Sequence, residues 1–419
     1  MIIPGKYSIG LGDRFGHQGG AQLKAVIEAG RHGIDITPVW NKSNREHIII
    51  GTHPGEVRLE ADLAAKKAGF TLPYFVDADH INYDTVDSFI SASDFFTIDV
   101  ANQIGQEADK RDVELFMKKS GSYTGTLVIP GIPGPYKITK TYLVDLSARY
   151  LSAAKKAGEI YRKIERIKGK GRFITEISMD EVSEPQKPVE IFFILMMLGL
   201  ENIPVQTIAP KFSGRFNKGV DYAGNPDLFA HEFEENLLVI NKAIKEFRLP
   251  ETLKMSIHSG SDKFSIYPHI GRILRKHEKG VHLKTAGTTW LEEVIGLAMS
   301  GGESLSFVKE IYSEALEKTD ELCAPYADVI DINKASLPKA VQVMNWDKNR
   351  FSGAIRHIPG SSEYNPDMRQ LIHVAYKLAA SRKDEFYKLL DKNKDIVEKC
   401  VFENIYDRHI KRLFDTGKS

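Results

Sequence analysis

KMSIHSGSDKFSIYPHIGRILRKHEKGVHLKTAG, residues 254–287, decides the fold. It opens and closes on short apolar runs that finish in chemistry-bearing side chains. The first ends at His258 before the turn Ser259-Gly260-Ser261-Asp262, the second at His282 and Lys284 before Thr285-Ala286-Gly287. The design recurs in YFVDADH (74–80) and ITEISMDE (174–181). Side chains at strand C-termini converge on one site in the parallel β/α barrel. The expectation is an α/β chain folded as a (β/α)8 TIM-type barrel. In it His80, His258 and His282 meet Asp79 and Glu176 around a divalent ion.

Alternating patterns carry this reading along the chain. Strands are expected near 6–10, 34–40, 74–79, 95–100, 172–180, 204–211, 254–259 and 281–286, each β-branched or aromatic-rich and bounded by Gly, Asp, Asn or Pro. Helical spacing separates them at 19–30, 57–69 and 226–247. Eight alternations are the number a closed barrel needs. The domain reading is a catalytic barrel over 1–300 and a helical C-terminal extension over 301–419 packed on it. Residues 120–168 form an insertion, Gly/Pro-rich to 139 and then one long amphipathic helix that packs on the barrel or, alternatively, on a second subunit.

Composition excludes several classes. The 419 residues carry a net charge of +1, so no electrostatic footprint for nucleic acid or an acidic membrane appears. No apolar run is long enough to cross a bilayer, and the amino terminus lacks a signal-peptide pattern. Cys323 and Cys400 are the only cysteines, too few for a disulfide scaffold or a Cys-based zinc site. A cytoplasmic enzyme acting on a small molecule is expected, with a homo-oligomer left open.

The strand ends differ in how sharply they speak. In VDADH, alternation puts Asp77 and Asp79 on one face, with His80 elsewhere unless the chain turns there. The plain alternative is a helix cap. In KMSIHSG, Lys254, Ser256 and His258 share a face, and Ser259 and Lys263 flank a turn suited to an anionic group. A satisfied core histidine is the competing reading of His258. Lys284 shares a face with His282 and reads as Schiff-base nucleophile, carboxylate anchor or surface residue. Glu176 and Asp180 stand on one face either side of Ser178, and burial of Glu176 is expected to raise its pKa toward general-acid duty. Imidazole and carboxylate ligands suit Zn, Mn, Ni, Co or Fe alike.

One motif points elsewhere. GLGDRFG (10–16) precedes a helix, and Asp35 follows at the distance of a ribose ligand in a dinucleotide site. The spacing is G-x-G-x-x-x-G, Phe15 replaces the third glycine, and Asp13 would face the pyrophosphate, so this reading is set aside.

These blocks together resemble the tagaturonate/fructuronate epimerase family. The resemblance rests on GLGDRFG, VDADH, FFTID (95–99), EISMDE, FNKGVDY (216–222), SIHSGSDKFSIYP, HLKTAGT and RQLIHVAY (369–376), which run in the same order over most of the chain. It implies a divalent-metal-dependent sugar-acid epimerase on a barrel. Mapped by residue, Asp79 becomes the proton acceptor, Glu176 the proton donor, and His80 and His258 metal ligands; His282 is the third ligand by strand-end position. The family reaction inverts a hydroxyl carbon β to the ketone, which fits retro-aldol cleavage and re-addition. Arg14, Lys263, Lys284 and Arg369 are candidates to hold the substrate carboxylate, beside Asp180 and Ser259 as substrate contacts. The chain departs from the pattern at Val100-Ala101-Asn102-Gln103, in EVSEPQKP (181–188), and in beginning almost on its first strand. Two other functions fit the same residues: a metal-dependent aldolase or ketose isomerase, and a non-catalytic sugar-acid binding protein.

Overall fold

The computed structural model describes residues 2–285 and 288–414. Eight parallel strands close into a barrel: β1 (Tyr7–Gly12), β2 (Ile36–Ser43), β3 (Phe75–Ile81), β4 (Phe95–Asp99), β7 (Ile174–Ser178), β8 (Thr207–Ala209), β9 (Lys254–His258) and β10 (Val281–Lys284). Strands β5 (Gly125–Leu127) and β6 (Tyr136–Ile138) form a separate antiparallel hairpin. The barrel strands pair in chain order and β10 closes on β1, so all eight C-terminal ends open on one mouth.

The crossover from β4 to β7 runs through the hairpin and then the helix Lys140–Lys168. That helix buries Leu143, Leu146, Tyr150, Ala153, Ala157, Ile160 and Ile164 against the barrel. It therefore occupies the place of an ordinary barrel helix. From Thr288 to Phe414 every element is helical, and these helices bury Phe351, Met368, Leu371, Tyr376 and Phe386 with Trp290 and Phe15 in a second core.

Strand register sorts the barrel interior into layers. Val39, Phe75, Phe95 and Ile174 pack together as an apolar floor. Two residues farther along those strands stand the register pairs Asn41–Asp77 and Thr97–Glu176, joined where Thr97 N–H and Oγ1 donate to Asp77 Oδ1 at 3.1 and 3.0 Å. The next step brings Ser43, Asp79, Asp99 and Ser178 to the mouth. On the closing side Gly10, Lys284 and His258 share one level.

Candidate active site

Lys284 stands at the centre. Its Nζ lies 2.8 Å from Asp79 Oδ1, 2.9 Å from Asp77 Oδ2 and 3.4 Å from Glu176 Oε1, and it donates to Thr97 Oγ1 at 2.6 Å. Burial opposes its charge, but Asp77, Asp79 and Glu176 outweigh burial and hold the ammonium well above its usual range. In this cluster Lys284 is an ion-pair centre, with its Nζ engaged by Asp79, Asp77 and Thr97. The same cation sorts the acids. Burial works against Asp79, and Lys284 and His80 overcome it, bringing Asp79 down to about 2. Asp77 goes the other way, to about 6, because burial and the neighbouring Asp79 and Glu176 outweigh Lys284.

Glu176 is completely buried and accepts from Thr207 Oγ1 at 2.7 Å and Thr97 Oγ1 at 3.2 Å. Burial was expected to raise its pKa. It does push upward, but Lys284 and the hydrogen bond from His258 reverse it, and Glu176 is held well below the usual carboxylate range.

His80 reaches the mouth because the strand breaks its alternation there. Its φ is +51°, and the β3–β4 register shifts between Ala78 and Ile81. A left-handed residue in a bulge re-aims the side chain. Its Nδ1 lies 3.2 Å from Asp99 Oδ2, and its ring is 4.9 Å from that of His258. His258 spends Nε2 on Glu176 Oε1 at 2.8 Å. Its buried Nδ1 has no well-oriented hydrogen-bond partner, with Asp180 Oδ2 3.1 Å away. One ligand atom each from His80, Asp180 and His258 fall within 4.8 Å of one another. Two imidazoles, one carboxylate and an orphaned ring nitrogen form a donor set that suits a divalent transition ion.

His282 does not join them. The β9–β10 register sets Lys284, not His282, beside His258, so His282 lies one inward step deeper. There Nδ1 shares a 2.9 Å hydrogen bond with Ser8 Oγ, and the ring packs 5.1 Å from Phe95 on the floor. Burial drives it down to about 3, and it stays neutral as a core histidine. Asp180, expected as a substrate contact, stands in the position given to His282.

The expected carboxylate anchors are committed elsewhere. Arg14 donates to Glu46 Oε1 and to His373 O, both at 2.8 Å, and stacks 4.0 Å over Tyr376. Lys263 is buried under the carbonyls of Asn217 and Val220 at 3.0 and 2.7 Å. Arg369, fully buried, pairs with Asp262 Oδ2 at 2.8 Å. Ser259 Oγ donates to Lys284 O at 2.8 Å and ties two strand ends together. Ala286 and Gly287 of the HLKTAGT turn lie outside the described residues.

GLGDRFG is also explained. Asp13 accepts from the backbone N–H groups of Phe15, Gly16, His17 and Gln18 at 2.6–3.0 Å, ahead of the helix Gly19–Arg31. Its carboxylate fills the anion position that a pyrophosphate would need. Phe15 is buried against Phe386 at 4.5 Å. Asp35 precedes β2 and so stands at the opposite end of the barrel from the mouth.

Known proteins agree with this architecture. Residues 2–413 match the tagaturonate epimerase family. A tagaturonate/fructuronate epimerase of Thermotoga maritima is 27% identical over 424 residues, covering 97% of this chain and 80% of that protein. A glycerol-complexed crystal structure of the fructuronate-tagaturonate epimerase of Cohnella laeviribosi superposes with a TM-score of 0.81 at 25% identity, covering 98% of this chain and 82% of that one. The native crystal structure of the same protein gives 0.80 at 25% identity. By fold and by sequence, the chain belongs to the tagaturonate epimerase family of isomerases.

Proposed function

We propose that this protein interconverts D-tagaturonate and D-fructuronate with a divalent ion held by His80, Asp180 and His258. The observation that carries the reading is the grouping of those three donors beside the Lys284–Asp79–Glu176 cluster, with His258 Nε2 2.8 Å from Glu176 and His80 Nε2 3.9 Å from Asp79. A bound ion would supply Lewis-acid polarisation of the ketone and its neighbouring hydroxyl. Zn, Mn, Ni, Co and Fe all suit the set.

The chain's own groups account for the proton traffic. Asp79 is ionised and takes the proton of the hydroxyl on the carbon to be inverted. The bond from that carbon to the carbon beside the ketone breaks. Its electron pair passes to the ketone side as an enediolate, and the other fragment becomes an aldehyde. The aldehyde turns its opposite face, the bond re-forms, and the new alkoxide is protonated through Glu176, which is ionised at rest and takes that proton from the Lys284 ammonium beside it. Asp79 now carries the proton that Lys284 has lost. Lys284 touches both carboxyls and recovers that proton from Asp79. Retro-aldol chemistry is preferred over transient oxidation because Asp13 occupies the only dinucleotide-like loop suggested by the sequence.

The test is conversion of D-tagaturonate by protein stripped of metal and then reloaded with each ion in turn. The reading requires fructuronate to form only after reloading, with no release of fragments. Fragment release would instead mark an aldolase. Tight sugar-acid binding by fully loaded protein without turnover would mark a binding protein.

A further inference from the structure

We propose that Lys218, in the loop after β8, is the cation that grips the substrate's carboxylate; this rests on the hexuronate reading above. The loop is clamped in place through its other residues. Lys263 donates to Asn217 O and Val220 O, Gly219 N–H donates to Ser261 Oγ at 2.9 Å, and Arg369 donates to Gly219 O. Asp221 accepts from Ser265 N–H and Oγ at 3.1 and 2.9 Å, and Lys218 N–H donates to Val329 O at 2.7 Å. The half-buried Lys218 ammonium takes part in none of this. Among the described residues it makes no side-chain hydrogen bond or ion pair.

Its position is specific. A Cβ built on Gly260 would lie 3.4 Å from Lys218 Nζ and 3.3 Å from its Cδ. Gly260, at φ +64°, is two residues beyond His258. Glycine thus leaves the space that the lysine stem fills beside the metal group. Adjacent Asn217 is buried and its Oδ1 has no partner, a polar group left over for a ligand hydroxyl. Electrostatics points the same way. Asp79, Asp99, Asp180 and Glu181 make the mouth acidic, so an anionic sugar needs a local cation. Lys284, Arg14, Lys263 and Arg369 are already committed, and Lys211 is tied to Val182 O.

The experiment titrates metal-loaded full-length protein with D-galactonate and with neutral galactitol, and measures tagaturonate kinetics in parallel. Wild type should prefer galactonate. In Lys218→Met, galactonate affinity should fall roughly ten- to hundred-fold, as for a lost charge-assisted hydrogen bond, with galactitol affinity unchanged. KM for tagaturonate should rise far more than kcat falls, and Lys218→Arg should restore most of the loss. Lys218→Gln gives the same reading if the methionine variant misfolds. Unchanged galactonate affinity, or parallel loss of both ligands, overturns the assignment while leaving the epimerase reading intact. Failure of the wild type to turn over tagaturonate overturns the epimerase reading itself.

Discussion

Lys284 Nζ and Asp79 Oδ1 are 2.8 Å apart at the centre of the barrel mouth, and both side chains are buried. Asp77 and Glu176 crowd the same ammonium, so one fixed positive charge balances three carboxyls that burial alone would neutralise. Removing one partner of a buried ion pair leaves uncompensated charge, at a cost of about 3–5 kcal/mol. Lys284→Met is therefore expected to lose stability of that order in urea denaturation. A near-neutral effect would mean the ammonium is not the keystone of the cluster.

Metal analysis distinguishes the two readings of the third ligand. His80→Ala, His258→Ala and Asp180→Ala should each weaken metal binding roughly ten-fold or more, since even groups that only orient ligands cost that much. His282→Gln should keep the metal, because His282 is neutral beside Ser8 and below the ligand level. Loss of metal in His282→Gln with retention in Asp180→Ala would reverse the assignment.

Asp79→Asn and Glu176→Gln remove proton transfer while keeping shape. Both should retain metal and lose turnover by roughly 10²–10⁴-fold. Normal rates in either variant would reject that residue's role.

How much of this the sequence disclosed depended on whether periodicity carried it. All eight barrel strands announced themselves by β-branched runs and turn residues, and the observed strands fall on the expected ones within a few residues. The placement of Asp79, His80, Glu176 and His258 near the mouth was legible because each lies at the end of such a run. His282 misled because sequence gives a strand end only to within a residue or two. One inward step is two residues, roughly 7 Å of depth. Register with β9 set Lys284 at the mouth instead. The left-handed turn that swings His80 inward has no local signal, since φ > 0 is uncommon outside glycine. Helix 140–168 groups with the insertion before it in the sequence, because a hairpin separates it from β4. Lys218 escaped notice for a related reason. Its loop follows no period, and its significance appears only when the anchors expected from the sequence, Arg14, Lys263, Lys284 and Arg369, prove to be engaged.

The C-terminal helices carry a pH-sensitive core group. His409 is buried, with Nδ1–H directed to Asn404 O at 2.8 Å. Burial, with Arg408 and Lys263 nearby, lowers its pKa to about 4 despite Asp262. An unfolded histidine titrates near ~6.5. Between those values the unfolded chain binds the extra proton, so stability falls as pH drops from ~6.5 to about 4 and levels off below. His409→Gln should flatten the acid side of the urea-midpoint profile by about 1–3 kcal/mol. Parallel profiles for the two proteins would show that His409 does not titrate in that window.

Proton NMR in D2O follows D-tagaturonate with metal-loaded protein and reads the fate of each carbon-bound hydrogen. Fructuronate should appear with its original hydrogen on the inverted carbon, because retro-aldol cleavage breaks a carbon–carbon bond and leaves that hydrogen on the aldehyde. No interconversion would contradict the assigned function, and deuterium on the inverted carbon would contradict the assigned chemistry.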